Sequence, residues 1–263
     1  MSQFAGRNTA THNDRIIDQF TRQAVPFAQK HEHSNEQAMN LTLDLLALAK
    51  SDRVLDVACG PGLMTCAFAP LAGWVTGIDL TPAMIEQARR RAIEQNLTNV
   101  SWDIGDGSAL PFADGSFSVV FSRYAFHHLQ DPARVLTEMA RVCAPGGRVV
   151  VADVYAISEA QGAAFDQVET WRDPSHVRTL SFDELRAMFR QAGLEAPREA
   201  TYRLEMELEA QLRASFPNPG DEARIRAAMV ADVDGELTGF NPRRAGNEIR
   251  FSYPVVIMAG GKP

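Results

Sequence analysis

A glycine turn directly after an apolar run is the first feature of the sequence with the chemistry to bind a ligand. The run Arg53–Ala58 predicts a short buried strand, and Gly60 and Gly62 follow it at alternate positions. Glycine lets the backbone approach a ligand closely, and a helix that begins at such a turn offers free N–H groups. Several cofactor classes bind at turns of this kind. A dinucleotide-dependent oxidoreductase would need a GxGxxG turn, which this chain lacks.

Two acidic residues follow the next predicted strands. Asp79 ends the strand Trp74–Asp79, and Asp106 follows the strand Val100–Asp103. A carboxylate at the first position accepts hydrogen bonds from both hydroxyls of a ribose, each worth about 1.5–3 kcal/mol. A carboxylate at the second position can accept from the exocyclic amine of adenine. The two acids favour a nucleoside-containing cofactor, and the alternative is that Asp79 only starts the turn before Pro82.

Predicted strands and helices alternate with short links over residues 50–155. These elements must position the glycine turn and the two acidic residues. Such alternation is typical of a doubly wound α/β fold. Thr201–Glu207 and Ile249–Met258 predict two further strands, which can form an antiparallel hairpin at the edge of the sheet. We therefore expect a mostly parallel seven-stranded sheet whose final strand is antiparallel.

The segments that flank this core predict covers for the site. Asn13–Lys30 and Asn35–Ala49 have apolar residues at helical spacing, so residues 1–49 predict a helical N-terminal lid. Residues 50–155 are the predicted cofactor-binding core. Residues 156–263 predict the substrate half with an inserted cap. The chain has no internal repeat and no low-complexity linker, so we expect a single domain over residues 1–263.

Three motifs in this order carry a resemblance to a known family. They are VLDVACGPG, VTGIDLTPAMIEQAR and GDGSALPFADGSFSVVFSRYAFHHLQDPARVLTEMARVCAPGGRVVVAD. The chain resembles class I S-adenosylmethionine-dependent methyltransferases, and within them the small-molecule branch that is similar to ubiquinone/menaquinone C-methyltransferases. The resemblance covers about residues 50–155 and implies transfer of a methyl group from S-adenosylmethionine to a small-molecule acceptor.

The resemblance also implies roles for individual residues. Related enzymes use the first helix as a lid, which points to Phe20 and Phe27 near the cofactor. The family often has glycine where Ala58 stands, and we expect alanine to be tolerated because the position need not be left-handed. The residues implied to contact the cofactor are Phe27, Asp56, Cys59, Gly60, Gly62, Asp79, Leu80, Met84, Gly105, Asp106, Gly107, Ser108, Ser122 and Arg123.

Three histidines are candidates for a catalytic base. A sulfonium methyl is already activated, so alignment matters most, but an oxygen or nitrogen nucleophile can still need a base. His127 and His128 follow the fourth strand, and His176 lies in the predicted cap. The alternatives are a structural cap for one of the first two and a loop hydrogen bond for His176. Arg172 and Arg178 can hold a substrate carboxylate, or else form surface salt bridges.

Composition limits the partners. The net charge of −7 and the absence of a basic stripe argue against a nucleic-acid partner. The three cysteines have no metal-ligand spacing, and no apolar signal core or membrane-length run is present, so we expect a cytoplasmic protein with no metal and no membrane contact. We expect a monomer or homodimer. A cofactor-binding protein of this fold without methyl transfer and a macromolecule methyltransferase remain as alternatives.

Overall fold

The computed structural model describes residues 11–28 and 36–263, and its first half is built on five parallel strands. Apolar residues fill these strands on both faces, as expected for a sheet that is covered on both sides. The strands are β1 (Arg53–Val57), β2 (Trp74–Asp79), β3 (Val100–Ile104), β4 (Phe117–Arg123) and β5 (Cys143–Ala156).

Helices precede and connect these strands and continue into the second half. Pro82 opens α4 at its first turn, where the missing N–H costs no hydrogen bond. Ser181 and Glu184 form the capping box that the sequence predicts for α7. The helices are α1 (His12–Ala28), α2 (Glu36–Leu46), α3 (Leu63–Phe68), α4 (Pro82–Glu94), α5 (Pro132–Val142), α6 (Glu159–Arg172), α7 (Phe182–Gln191), α8 (Leu208–Ser215) and α9 (Asp221–Ala231).

The sheet confirms the predicted topology. Its main strands lie in the order β3-β2-β1-β4-β5-β9-β7, where β7 is Arg198–Glu207 and β9 is Glu248–Gly261. The final long strand, β9, runs antiparallel to both of its neighbours. Two short strands, β6 (Leu180–Ser181) and β8 (Arg243–Ala245), were not predicted, because two or three residues are too few to show a pattern.

Alternate residues of the strands face opposite layers of helices. Leu55 packs in a core with residues of α5 and α7, whereas its neighbour Val54 packs with Leu46 and Phe68 on the other face. A third apolar cluster lies beyond the parallel part, where β7 and β9 meet α6, α8 and α9. No helix among residues 11–28 and 36–263 combines the length and the apolar character needed to cross a bilayer.

The strand order reverses between β1 and β4. From β1 the chain proceeds outward to β2 and β3, and then returns to β4 on the opposite side of β1. Open α/β sheets bind ligands in the crevice outside the carboxyl ends of the strands at such a switch point. The ends of β1 and β4 therefore mark where a site is expected.

Candidate active site

A cavity of about 750 Å³ opens at the carboxyl ends of the parallel strands. We call it the first cavity. It brings together most of the residues that the sequence assigns to the cofactor. Those that line it are Gly60, Asp79, Leu80, Met84, Gly105, Asp106, Gly107 and Ser122.

Asp79 is held in place by two backbone groups. Gly60 N donates to its Oδ2 at 2.8 Å, and Thr81 N donates to its Oδ1 at 2.8 Å. Burial raises the pKa of the Asp79 carboxyl, and these hydrogen bonds oppose the rise. Each carboxylate oxygen can accept a second bond. The geometry therefore leaves Asp79 able to accept from two hydroxyl groups in the first cavity.

The two glycines of the turn after β1, Gly60 and Gly62, have different surroundings. Gly60 has a φ of +54°, and a Cβ built there would meet nothing within 4 Å, so the backbone faces open space. A Cβ on Gly62 would lie 2.7 Å from the ring of Trp102 and 2.8 Å from Cβ of Ala88. Gly62 is thus required by packing against β3 and α4, and it does not line the first cavity.

Ala58 corrects the expectation that its position is not left-handed. Its φ is +55°, in the region that favours glycine because a Cβ there crowds the following carbonyl. Ala58 nevertheless lines the first cavity. Alanine at this position therefore carries backbone strain that a glycine would not.

A recess of about 580 Å³ adjoins the first cavity beneath the glycine turn. Asp56, Cys59 and Arg123 line it, as the predicted contacts of the methionine part of the cofactor would. Asp56 accepts from Thr65 Oγ1 at 2.6 Å. Burial raises the pKa of Asp56 to about 7, and it also raises the pKa of the Cys59 thiol.

Asp106 links the third strand to α1. Its Oδ1 accepts from Ser108 N at 2.8 Å and caps a short turn, and its Oδ2 accepts from the side-chain amide of Asn13 at 3.0 Å. Burial alone would raise the pKa of Asp106, but the hydrogen bonds from Ser108 and Asn13 lower it. Ser108 itself lies at a shallower pocket beside the first cavity.

Helix α1 covers the first cavity. Asn13, Ile16 and Phe20 of this helix line it, and the ring of Phe20 meets that of His128 edge-on with centroids 5.1 Å apart. The side chain of Phe27 lies outside the described residues.

A second cavity of about 540 Å³ lies next to the first, between α6, β7 and β9. We call it the second cavity. Apolar side chains such as Val154, Leu204 and Met206 line it together with a polar group at Glu169 and Arg172. Tyr124 and His128 line both cavities, so the two spaces share a wall.

His127 forms a buried dyad with Asp153 at the second cavity. Nδ1 of His127 lies 2.6 Å from Oδ1 of Asp153, and Phe126 N donates to the other carboxylate oxygen at 2.6 Å. Burial alone would lower the pKa of His127, but the charge of Asp153 and its hydrogen bond raise it above the ordinary 6.5. The ring is thus oriented by a carboxylate, and His127 is one of the residues that line the second cavity.

His128 and His176 lie against this dyad in different ways. His128 stands on the shared wall, and its ring centroid is 4.2 Å from that of His127. His176 is fully buried, bonds Asp166 through Nε2 at 2.8 Å, and lines neither of the two cavities. The alternative role of His176 was a hydrogen bond within the loop, but its ring instead bonds Asp166 of helix α6.

The two arginines that were candidates for a substrate carboxylate already have acidic partners. Arg172 is buried, bonds both oxygens of Glu169, and lies 3.8 Å from Asp173. Arg178 pairs with Glu184 on the surface at 2.9 Å.

Tyr124, Asp153 and Glu169 are site residues that the sequence did not reveal. Tyr124 lines both cavities and the recess, and its φ of +55° is rare for a bulky side chain. Asp153 had a signal, since it is a single acid in an apolar strand. Glu169 had none, because it is one of several acids on an amphipathic helix.

Comparison with known proteins relates this chain to methyltransferases. Residues 55–151 match the family model described as a methyltransferase domain. An uncharacterized methyltransferase of Bacillus subtilis, YcgJ, is 28% identical over 93% of this chain and 92% of its own. The crystal structure of YcgJ superposes with a TM-score of 0.79 at 27% identity, covering 87% of this chain and all of that one.

Two relatives with named activities match shorter parts of the chain. The 27-O-demethylrifamycin SV methyltransferase of Amycolatopsis mediterranei is 34% identical over 57% of this chain and 57% of its own length. The demethylmenaquinone methyltransferase of Corynebacterium efficiens is 37% identical over 43% of this chain and 46% of its own. The chain thus spans about half the length of each of these two enzymes.

The geometry of the site fits S-adenosylmethionine independently of the comparisons. Asp79 offers two acceptor oxygens, Gly60 leaves open space beside them, and the recess continues the cavity past Asp56. With the matched family model and the shared fold, these features identify residues 55–151 as a methyltransferase domain of the class I, S-adenosylmethionine-dependent type.

Proposed function

We propose that the protein transfers a methyl group from S-adenosylmethionine in the first cavity to a small-molecule acceptor in the second. The observation that carries this proposal is the wall of Tyr124 and His128 that the two cavities share. Group transfer needs both reactants within contact distance in a defined orientation, which can contribute about 7–11 kcal/mol. The names of the rifamycin and menaquinone relatives support a small-molecule acceptor.

The proposed division of labour follows the sequence-based segments. Residues 1–49 would be the lid, residues 50–155 the cofactor-binding core, and residues 156–263 the acceptor half of a single domain. Asn13 and Phe20 at the first cavity support the lid, and Glu169 and Tyr253 at the second support the acceptor half. Three cysteines, all free and buried, support a cytoplasmic location.

When bound, S-adenosylmethionine supplies a methyl group on a positively charged sulfur. Asp79 would hold the ribose, Asp106 the adenine edge, and Asp56 with Arg123 the methionine end. Helix α1, which covers the first cavity, would help to exclude water from the bound cofactor. Alignment of the two reactants across the shared wall is then the main work of the protein.

His127 would accept the proton of a hydroxyl or amine acceptor, and Asp153 would hold the ring for this task. Because Nδ1 is engaged by Asp153, Nε2 is the ring nitrogen that would take the proton, and His127 lines the second cavity. Only the neutral ring can take a proton, so the transfer rate should rise with pH through a pKa above 6.5. Removing the carboxylate in Asp153→Asn should move that pKa downward.

A label-transfer experiment tests the proposed function. The protein would be incubated with S-adenosylmethionine carrying a radioactive methyl group and with a cell extract that contains both metabolites and macromolecules. We expect the filtrate to contain a labelled small molecule other than S-adenosylmethionine with wild-type protein, and no such product with Asp79→Asn at the same cofactor concentration. Label found only in the precipitated protein or nucleic acid would contradict a small-molecule acceptor. Mass spectrometry of the labelled filtrate would identify the acceptor.

His127→Gln then separates the base from the binding site. General bases contribute about 100- to 10,000-fold to the rate, so the variant should lose transfer by that order and keep its affinity for S-adenosylhomocysteine. Ser116→Ala, an exposed change far from both cavities, is the control. An unchanged rate for His127→Gln would remove this residue from the proposed mechanism.

A further inference from the structure

We propose that Ser175 and Asp173 are positioning residues that fix His128 as the Nδ1–H tautomer. In that tautomer Nε2 carries a lone pair, which can accept a hydrogen bond from the acceptor molecule at the shared wall. The inference rests on the proposed function, because it assigns a hydrogen-bond donor group to the acceptor bound there. His128 is the histidine that lines both cavities.

The protons of this cluster can be placed from its distances. Ser175 Oγ lies 2.6 Å from Oδ1 of Asp173, and Ser175 N donates to the same oxygen at 2.9 Å. A serine hydroxyl carries one hydrogen, and an ionised carboxylate can only accept. The hydroxyl hydrogen of Ser175 therefore points to Asp173.

Asp173 is ionised because of its neighbours. Burial alone would raise the pKa of its carboxyl, and a charge on His128 would lower it most. Arg172 at 3.8 Å and the two hydrogen bonds from Ser175 also lower it, and these need no charge on the His128 ring. Gln23 of α1 adds a weak contact from its side-chain amide at 3.4 Å. The carboxylate thus has only donors around it.

The tautomer of His128 follows from this arrangement. Its Nδ1 lies 3.1 Å from Ser175 Oγ, which has no hydrogen left to donate and must accept. Nδ1 therefore carries the ring hydrogen. Burial and the neighbouring His127 lower the pKa of His128, so the ring is neutral and Nε2 is unprotonated.

The two neighbouring histidines are consequently set for different tasks. His127 faces a carboxylate directly, which strengthens it as a base, whereas His128 faces a hydroxyl and stays neutral. A neutral ring places no second positive charge beside a sulfonium, and its lone pair can orient an O–H or N–H of the acceptor. An acceptor with such a group next to the methylated atom is the chemical class that this wall would select.

Nitrogen NMR of the histidine rings tests the tautomer without any acceptor. In protein labelled with ¹⁵N-histidine and saturated with S-adenosylhomocysteine, we expect His128 to show a protonated Nδ1 and an unprotonated Nε2. His128→Gln assigns its signals. Ser175→Ala should give a mixture of tautomers, and Ser175→Thr, which restores the hydroxyl, should return the wild-type pattern. A merely structural serine would not produce this difference.

Two results would overturn the proposal, and both differ from failure of the proposed function. A protonated Nε2 of His128 in the wild-type protein would refute the proposed tautomer. A Ser175→Ala spectrum identical to that of the wild type would refute the positioning role of Ser175. These spectra are readable even if no methyl transfer to a small molecule is found. With an acceptor from the label-transfer experiment, its addition should shift the Nε2 signal of His128, and an unmoved signal would refute the contact. Loss of this bond should raise KM about two- to tenfold in Ser175→Ala.

Discussion

Replacement of Asp79 by asparagine gives the sharpest test of the cofactor site. The two oxygens of Asp79 already accept from Gly60 N and Thr81 N at 2.8 Å, and each has one further lone pair for a ribose hydroxyl. A hydrogen bond to a charged group is worth about 1.5–3 kcal/mol, against about 0.5–1.5 kcal/mol for a neutral pair. Asparagine loses one acceptor and weakens the other, at a total of about 2.5–4.5 kcal/mol.

This loss corresponds to about 60- to 2,000-fold weaker binding of S-adenosylhomocysteine, measured by isothermal titration calorimetry. The free energy of unfolding should change less than the binding free energy. In the variant the side-chain NH₂ faces a backbone N–H, which destabilises the fold. The variant also no longer buries a carboxylate whose pKa is raised by burial, which offsets this loss. Urea unfolding of the variant checks that it remains folded. Asp114→Asn, the same change at an exposed carboxylate that pairs with Arg141, is the matched control and should bind as wild type does.

A ligand-side change makes the test specific to the ribose. The 2′-deoxy analogue of S-adenosylhomocysteine should bind much more weakly than the parent to wild-type protein, and only slightly more weakly to Asp79→Asn. Such non-additivity measures the contact itself rather than a general disturbance. Equal losses in both proteins, or binding by Asp79→Asn within twofold of wild type, would refute the ribose assignment.

Two further predictions concern stability. Ala58→Gly removes a left-handed strain of about 1–2 kcal/mol at a cost of about 0.5–1 kcal/mol in chain entropy, so urea unfolding should show a gain of about 0.5–1 kcal/mol. Asp56 has a folded pKa of about 7 against an ordinary 3.8, so its contribution is fully present below pH 3.8 and is lost as pH rises through 7. This difference corresponds to about 4 kcal/mol, and Asp56→Asn should flatten the fall in stability between pH 4 and pH 8 by about that amount. A steeper fall in the variant, or no gain in Ala58→Gly, would contradict the respective reasoning.

The cofactor half of the site could be predicted because its signals are local. Gly60 comes three residues after β1, Asp79 ends β2, and Asp106 comes two residues after β3, so the periodicity that predicts the strands also places these residues at one edge of the sheet. Parallel strands bring their carboxyl ends together regardless of the loops between them. The sequence could not reveal that a Cβ at Gly62 would meet the ring of Trp102, since packing and ligand contact both require the absence of a Cβ.

The acceptor half could not be predicted because its walls come from distant segments. Gln23, Tyr124, Arg172 and Tyr253 meet at the second cavity from α1, the end of β4, α6 and β9. No spacing rule connects such residues. His176 shows the same limit, because its position in the chain does not show that its ring packs behind His127, with centroids 5.7 Å apart, and not at the cavity.

The two strands at the switch point both end in a left-handed residue that is not glycine. Ala58 follows β1 and Tyr124 follows β4, with φ of +55° in each case. A left-handed residue turns the chain sharply at the end of a strand, and both of these residues line the first cavity between the two strands. The two positions differ in whether the strained residue contributes a side chain that the site needs. At Ala58 the side chain is a single methyl group, so glycine can replace it without loss of a wall. At Tyr124 the side chain borders both cavities and the recess, and its hydroxyl lies 2.5 Å from that of Tyr202. Glycine at this position would remove the wall at which the methyl donor and the acceptor meet, and we infer that the backbone strain is retained for this reason.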